Sequence, residues 1–205
     1  MKGASAAAIA LFAGLALPAS AIADTTTYKF ERASGYERMT FQSDPATCAN
    51  FGVCGDSGTV NYTFGGEPRR GSLVLDERNN GTVRGSAHFR THGKTVASVT
   101  STTGNTCKQT VRRTRERFSL NRDTRLGRLL FTAHPRPGID LLATDCLTPN
   151  EKSLARTDAL PKARFRARSF DHAETTLQAK GEAAFTDRGY RGEVRWKLSY
   201  QIQRR

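Results

Sequence analysis

Apolar and polar residues alternate with a period of two along most of the chain from residue 59 onward, the pattern of half-buried strands. Thr59 to Phe64 places Val60, Tyr62 and Phe64 on one face. Leu73 and Leu75 alternate up to Asn79-Asn80-Gly81, where Asn-Gly suits a type I′ hairpin because both central residues need positive φ. The return strand carries Val83, Gly85, Ala87 and Phe89 on one side and Arg84, Ser86, His88 and Arg90 on the other. His92-Gly93 predicts a turn, followed by a strand from Val96 to Ser101. Thr103-Gly104-Asn105 precedes a strand from Cys107 towards Leu120. Leu129, Phe131 and Ala133 make another, ended by Pro135 and Pro137. Ala163 to Phe170 points Phe165 and Ala167 inward and Arg164, Arg166 and Arg168 outward.

The C-terminal hairpin has the strongest alternation. Thr175, Leu177, Ala179, Gly181, Ala183 and Phe185 share one face, and Val194, Trp196, Leu198, Tyr200 and Ile202 share the next. A polar turn over Asp187 to Gly192 sets Phe185 opposite Val194 and Ala183 opposite Trp196. Small residues then oppose large ones, and Glu182 faces Lys197 on the outer side. A helix over Asp171 to Lys180 is the competing reading, but it gives an apolar face of only Ala173 and Leu177. One short surface helix is expected at Pro149. Thr148 is its N-cap, Pro149 sits at the first helical position, and Glu151 is placed to complete a capping box. About ten short strands with frequent turns define an all-β chain, either an antiparallel β-sandwich or an open barrel. A membrane barrel needs repeated strands of ~9–11 residues with a lipid-facing apolar row, which only the last hairpin offers.

Composition changes this picture in two ways. The first 23 residues read as a leader outside the fold. Lys2 is followed by the apolar run Ala6 to Leu17, then Pro18, then Ala21-Ile22-Ala23, which fits cleavage after Ala23. The run is well short of the ~20 apolar residues that a membrane span needs. The expectation is a cleaved signal peptide over 1–23, one β-rich domain over 24–205, and a secreted or periplasmic location. The second change is charge. Of 205 residues, 32 are Lys or Arg and 19 are Asp or Glu, giving a net +13. Arg outnumbers Lys three to one, which suits bidentate recognition of carboxylates and phosphates and also fits simple compositional bias.

Four Cys in an exported chain predict two bridges. Loop lengths favour Cys48 with Cys54 and Cys107 with Cys146, for chain-entropy contributions of roughly 2.4 and 4 kcal/mol. The spacings do not resemble a zinc site, so no metal or cofactor is expected. No nucleophile elbow, P-loop or dinucleotide fingerprint occurs. His88 and His92 bracket a strand end, and Asp140 and Asp145 lie on a loop near Cys146. Neither pair has the setting that catalysis requires, and no catalytic residue is assigned. The basic stretches remain. Arg113, Arg115 and Arg117 would form one ladder on a strand, and Arg164, Arg166 and Arg168 another. If the two strands adjoin, they make a flat cationic surface for an acidic glycan, nucleic acid or cell-wall polymer. The expected function is therefore binding, or a structural role in the envelope or outside the cell, with polyanions as the partner class. A small secreted hydrolase of a polyanion, ribonuclease-like, is the alternative.

Overall fold

The computed structural model describes residues 24–68, 71–77, 83–122, 130–134, 139–154, 164–167 and 174–205. The expected leader, the turn at Asn79-Asn80-Gly81, Arg168 and His172 lie outside them.

Among the described residues, nine strands form one antiparallel sheet: β1 (Asp24–Ser43), β2 (Ser57–Gly66), β3 (Gly71–Glu77), β4 (Val83–Thr100), β5 (Thr106–Arg122), β6 (Leu130–His134), β7 (Arg164–Ala167), β8 (Glu174–Asp187) and β9 (Tyr190–Arg204). Each pairs with its sequence neighbour or the next strand along, and β1 pairs with β9, closing the sheet into a barrel. The described strands thus make one closed sheet, where two packed sheets or an open barrel had been the expectation. The reason is β1, whose length lets it pair with β3 over its first residues, β2 over its later ones, and β9 along its other edge.

β2 and β3 lie end to end between β1 and β4, as one stave interrupted at Glu67-Pro68. Pro68 has no N–H to donate, so the ladder cannot run through it. The neighbouring strands are irregular at the same level. β1 carries an extra residue between Phe30 and Arg32 against β9, and β4 carries one between Arg90 and Gly93 against β5. Bulges of this kind bend a strand and sharpen its twist, which a small barrel needs in order to close. His92-Gly93 is such a bulge inside a continuous β4, not the turn expected there.

The inward rows make the core. Phe30, Phe64, Phe89, Phe165 and Tyr200 are all buried, and their rings meet in a cluster. Phe64 and Tyr200 stack with centroids 5.9 Å apart, and Phe30 and Phe89 lie 4.7 Å apart. An eight-stave barrel has an interior about wide enough for side chains to fill, and these rings occupy it. The β8–β9 hairpin has the expected faces but a register two residues away from the expected one. Asp187 pairs with Tyr190 across a two-residue turn in which Arg188 and Gly189 have φ of 48° and 80°. Trp196 therefore stands opposite Gly181 instead of Ala183, and Glu182 opposite Arg195 instead of Lys197. A shift of two preserves which face is buried, which is why the inward assignment holds.

One end of the barrel is capped. Helix α1 (Cys48–Phe51) sits on the Cys48–Cys54 loop. A 3-10 turn over Ile139–Ala143 packs against β1, β2 and β4 with Leu141 fully buried. Helix α2 (Pro149–Leu154) has the capping box: Thr148 N donates to Glu151 Oε2 at 2.6 Å, and Glu151 N donates to Thr148 Oγ1 at 3.3 Å. The helix exposes Pro149 and Asn150 at the surface and buries Glu151 and Leu154 against the barrel end. The Cys107–Cys146 bridge ties this cap to the start of β5. Gln109 reinforces it by accepting from Thr144 Oγ1 and Asp145 N, each at 2.6 Å.

Candidate polyanion-binding face

The two arginine rows read from the sequence do not adjoin. β6 lies between β5 and β7 and pairs with both. The row on β5 is also divided by register. Arg115 and Arg117 stand opposite Arg90 and His88, whereas Arg113 stands opposite Gly93, beyond the bulge. On β7, Arg164 is exposed opposite Thr132, and Arg166 pairs with Leu130 and Gln178. The two rows therefore do not lie on adjacent strands.

A different cationic face takes its place. β5's partner is β4, and across that ladder Lys94 stands opposite Arg112, Arg90 opposite Arg115, and His88 opposite Arg117. Directly opposed like charges cost about 1 kcal/mol per pair in water-like surroundings. Arg84, His88, Arg90, His92, Lys94 and Arg112 are all exposed. Arg84 has Asp76 across the β3 pairing, but the β2 residues beside the bulged half of β4 are neutral, with Thr63 opposite Lys94 and Asn61 opposite Val96. Among the described residues, neither Lys94 nor Arg112 forms an ion pair. The β4 half of this face was visible in the sequence as the outward set Arg84, His88 and Arg90. Its adjacency to β5 was hidden by reading a turn at His92.

The bulge opens a groove in this face. Its walls are Thr63, Phe64, Gly65, His92, Gly93, Lys94 and Arg112, and its volume is about 500 Å³. Thr63, Lys94 and Arg112 form one row across three strands, and His92 lies one step along β4, opposite Gly65. A Cβ placed on Gly65 would have nothing within 4 Å, so the floor there is open. Thr91 holds the floor in place by donating its hydroxyl to the Gly65 carbonyl at 3.0 Å.

Other candidate groups have structural settings. His88 and His92 are exposed, and no carboxylate accepts from either among the described residues. Asp145 is exposed and accepts from Gln109 at 3.2 Å. At the capped end, Tyr190 donates to Asp56 Oδ2 at 2.9 Å, and all of Tyr190, Asp56 and Glu151 are buried. Burial, with Asp56 and Glu151 nearby, pushes the Tyr190 hydroxyl far above its ordinary pKa, so it stays a donor. Burial likewise raises Glu151, against the opposing effect of its hydrogen bonds with Thr148. This cluster fastens α2 and the cap to the barrel. Among the described residues, no three His, Cys, Asp or Glu side chains gather as metal ligands.

Compared with known proteins, the chain matches no family model, no curated protein and no solved structure.

Proposed function

We propose that the chain is an exported, disulfide-stapled β-barrel that binds acidic polymers through the outer face of β4 and β5. The observation that carries this reading is the opposed pair Lys94 and Arg112, with Arg90 exposed on the same face of β4, set beside a neutral strand. Such an arrangement costs stability unless an anion is bound across it, and strand-borne charges hold a fixed spacing that a flexible tail does not. Two disulfides and the absence, among the described residues, of any helix long and apolar enough to cross a membrane fit an exported protein. The outward positions of β4 carry charge where a lipid-facing strand would carry apolar residues.

Heparin and single-stranded nucleic acid, titrated at two salt concentrations, test the reading. Affinity should fall steeply with salt, and Arg90→Gln and Lys94→Gln should each reduce the slope of log K against log salt by about 0.7–1. Salt-independent or undetectable binding would overturn it. The alternative, a secreted hydrolase of a polyanion, draws on His92 lying in the groove beside Lys94 and Arg112. It requires cleavage of RNA or a glycan that is lost in His92→Gln while binding persists.

A further inference from the structure

We infer that the groove over the β4 bulge is a subsite for one projecting tetrahedral oxyanion, a sulfate or phosphate ester on the bound polymer. The inference rests on the polyanion-binding reading and adds a chemical preference to it. The donors come from three strands: the Thr63 hydroxyl on β2, the Lys94 ammonium on β4 and the Arg112 guanidinium on β5. Three donor groups spread across adjacent strands match the three terminal oxygens of an ester sulfate or phosphate, where a carboxylate offers two. Among the described residues, the two cations have no ion-pair partner to displace.

Glycine shapes the opening. Gly65 and Gly93 flank the bulge on neighbouring strands, and both line the groove. The absence of a side chain at Gly65 leaves open space where the group would enter. Elsewhere on this face the charges stand proud of the surface and would meet a polymer only from one side. Here the group would sit in the groove above the paired strands, flanked by side chains, so its contacts depend on shape as well as charge.

Three dextrans of equal charge density test this, one sulfated, one phosphorylated and one carboxymethylated, titrated against the mature protein. The wild type should bind the sulfate and phosphate forms about tenfold more tightly than the carboxymethyl form. Gly65→Leu fills the groove without changing charge. It should remove that preference, bringing the sulfated and phosphorylated forms to the affinity of the carboxymethyl form. Thermal unfolding by circular dichroism checks that the variant folds. Thr63→Val and Arg112→Lys, which also conserve charge, should each reduce the preference severalfold and serve if Gly65→Leu does not fold. A wild type that binds all three dextrans equally, or variants that keep the preference, would overturn the subsite and leave polyanion binding standing. A wild type that binds none would overturn both. A preference for only one of the two esters would name the source of the group and support the subsite.

Discussion

Gly181→Ala is the sharpest test of the barrel's packing. In the β8–β9 pairing, Trp196 lies directly opposite Gly181. A Cβ at residue 181 would fall 2.3 Å from Trp196 Cζ2 and 2.7 Å from Cε2, inside any real contact distance. Trp196 is only 5% exposed, so its ring has little room to move away. Overpacking of this kind costs about 1–3 kcal/mol. Against it stands a gain of ~0.4–1 kcal/mol from reduced freedom of the unfolded chain when Gly becomes Ala. The net expectation is a loss of roughly 1–2 kcal/mol. Trp196→Ala alone should cost about 3–5 kcal/mol. In that background the obstruction is gone, and Gly181→Ala should become neutral or stabilising. The coupling in a double-mutant cycle should therefore exceed about 1 kcal/mol. Urea unfolding followed by far-UV circular dichroism measures all four proteins, since fluorescence would lose its only Trp. A coupling below ~0.5 kcal/mol would refute the register. The alternative register, with Ala183 opposite the ring, instead predicts the coupling at residue 183.

Four further outcomes follow from the packing and the buried polar groups. Tyr62→Phe removes a buried hydroxyl that has no partner among the described residues, and urea unfolding should show unchanged or slightly higher stability; a loss above about 1 kcal/mol would mean that the hydroxyl is satisfied. Tyr190→Phe should cost about 1–3 kcal/mol by leaving the buried Asp56 carboxylate without its donor. The raised pKa of Glu151 means that the folded state holds its proton more tightly than the unfolded state. This contribution to stability is greatest below the ordinary carboxylate range and is lost as pH rises through the folded value, so Glu151→Gln should flatten a fall in melting temperature above about pH 4.5. Replacing Cys107 and Cys146 with Ser should remove up to about 4 kcal/mol and make residues 139–154 the first site of limited proteolysis.

Much of the core was legible because alternation survives wherever a strand is regular. Val60, Tyr62, Leu73, Phe89, Leu177 and Trp196 are buried on the faces that the pattern assigns. The longest strand was not legible. In β1, Tyr28 and Phe30 face inward, then the extra residue before Arg32 moves the inward set to Ala33, Gly35, Glu37, Met39 and Phe41. A period-two search loses the row at that step, and the buried Glu37 and the small Gly35 further disguise it. Without β1, nothing in the remaining pattern indicates closure. The hairpin register failed because Arg188, a non-glycine residue at positive φ, makes a turn much tighter than six polar residues suggest. The cationic face failed in a different way. Alternation says which side of a strand is charged, but strand order alone says which charged strands meet. β6 intervenes between β5 and β7 although only five of its residues are in the ladder.

The seam between β1 and β9 joins opposite ends of the described chain, with Tyr28 beside Arg204 and Ser43 beside Tyr190. Every other pairing can form from segments nearer in sequence, but this one must wait for the last strand. Until then β1 and β8 each carry an unsatisfied row of peptide groups, the state in which strands recruit foreign partners. Closing so long a loop is entropically late, so the final zipping of β9 into place should set the pace of folding. A chain stopped short of Val194 would remain an open sheet with two sticky borders, and it would be removed by aggregation or proteolysis before it could present its charged face.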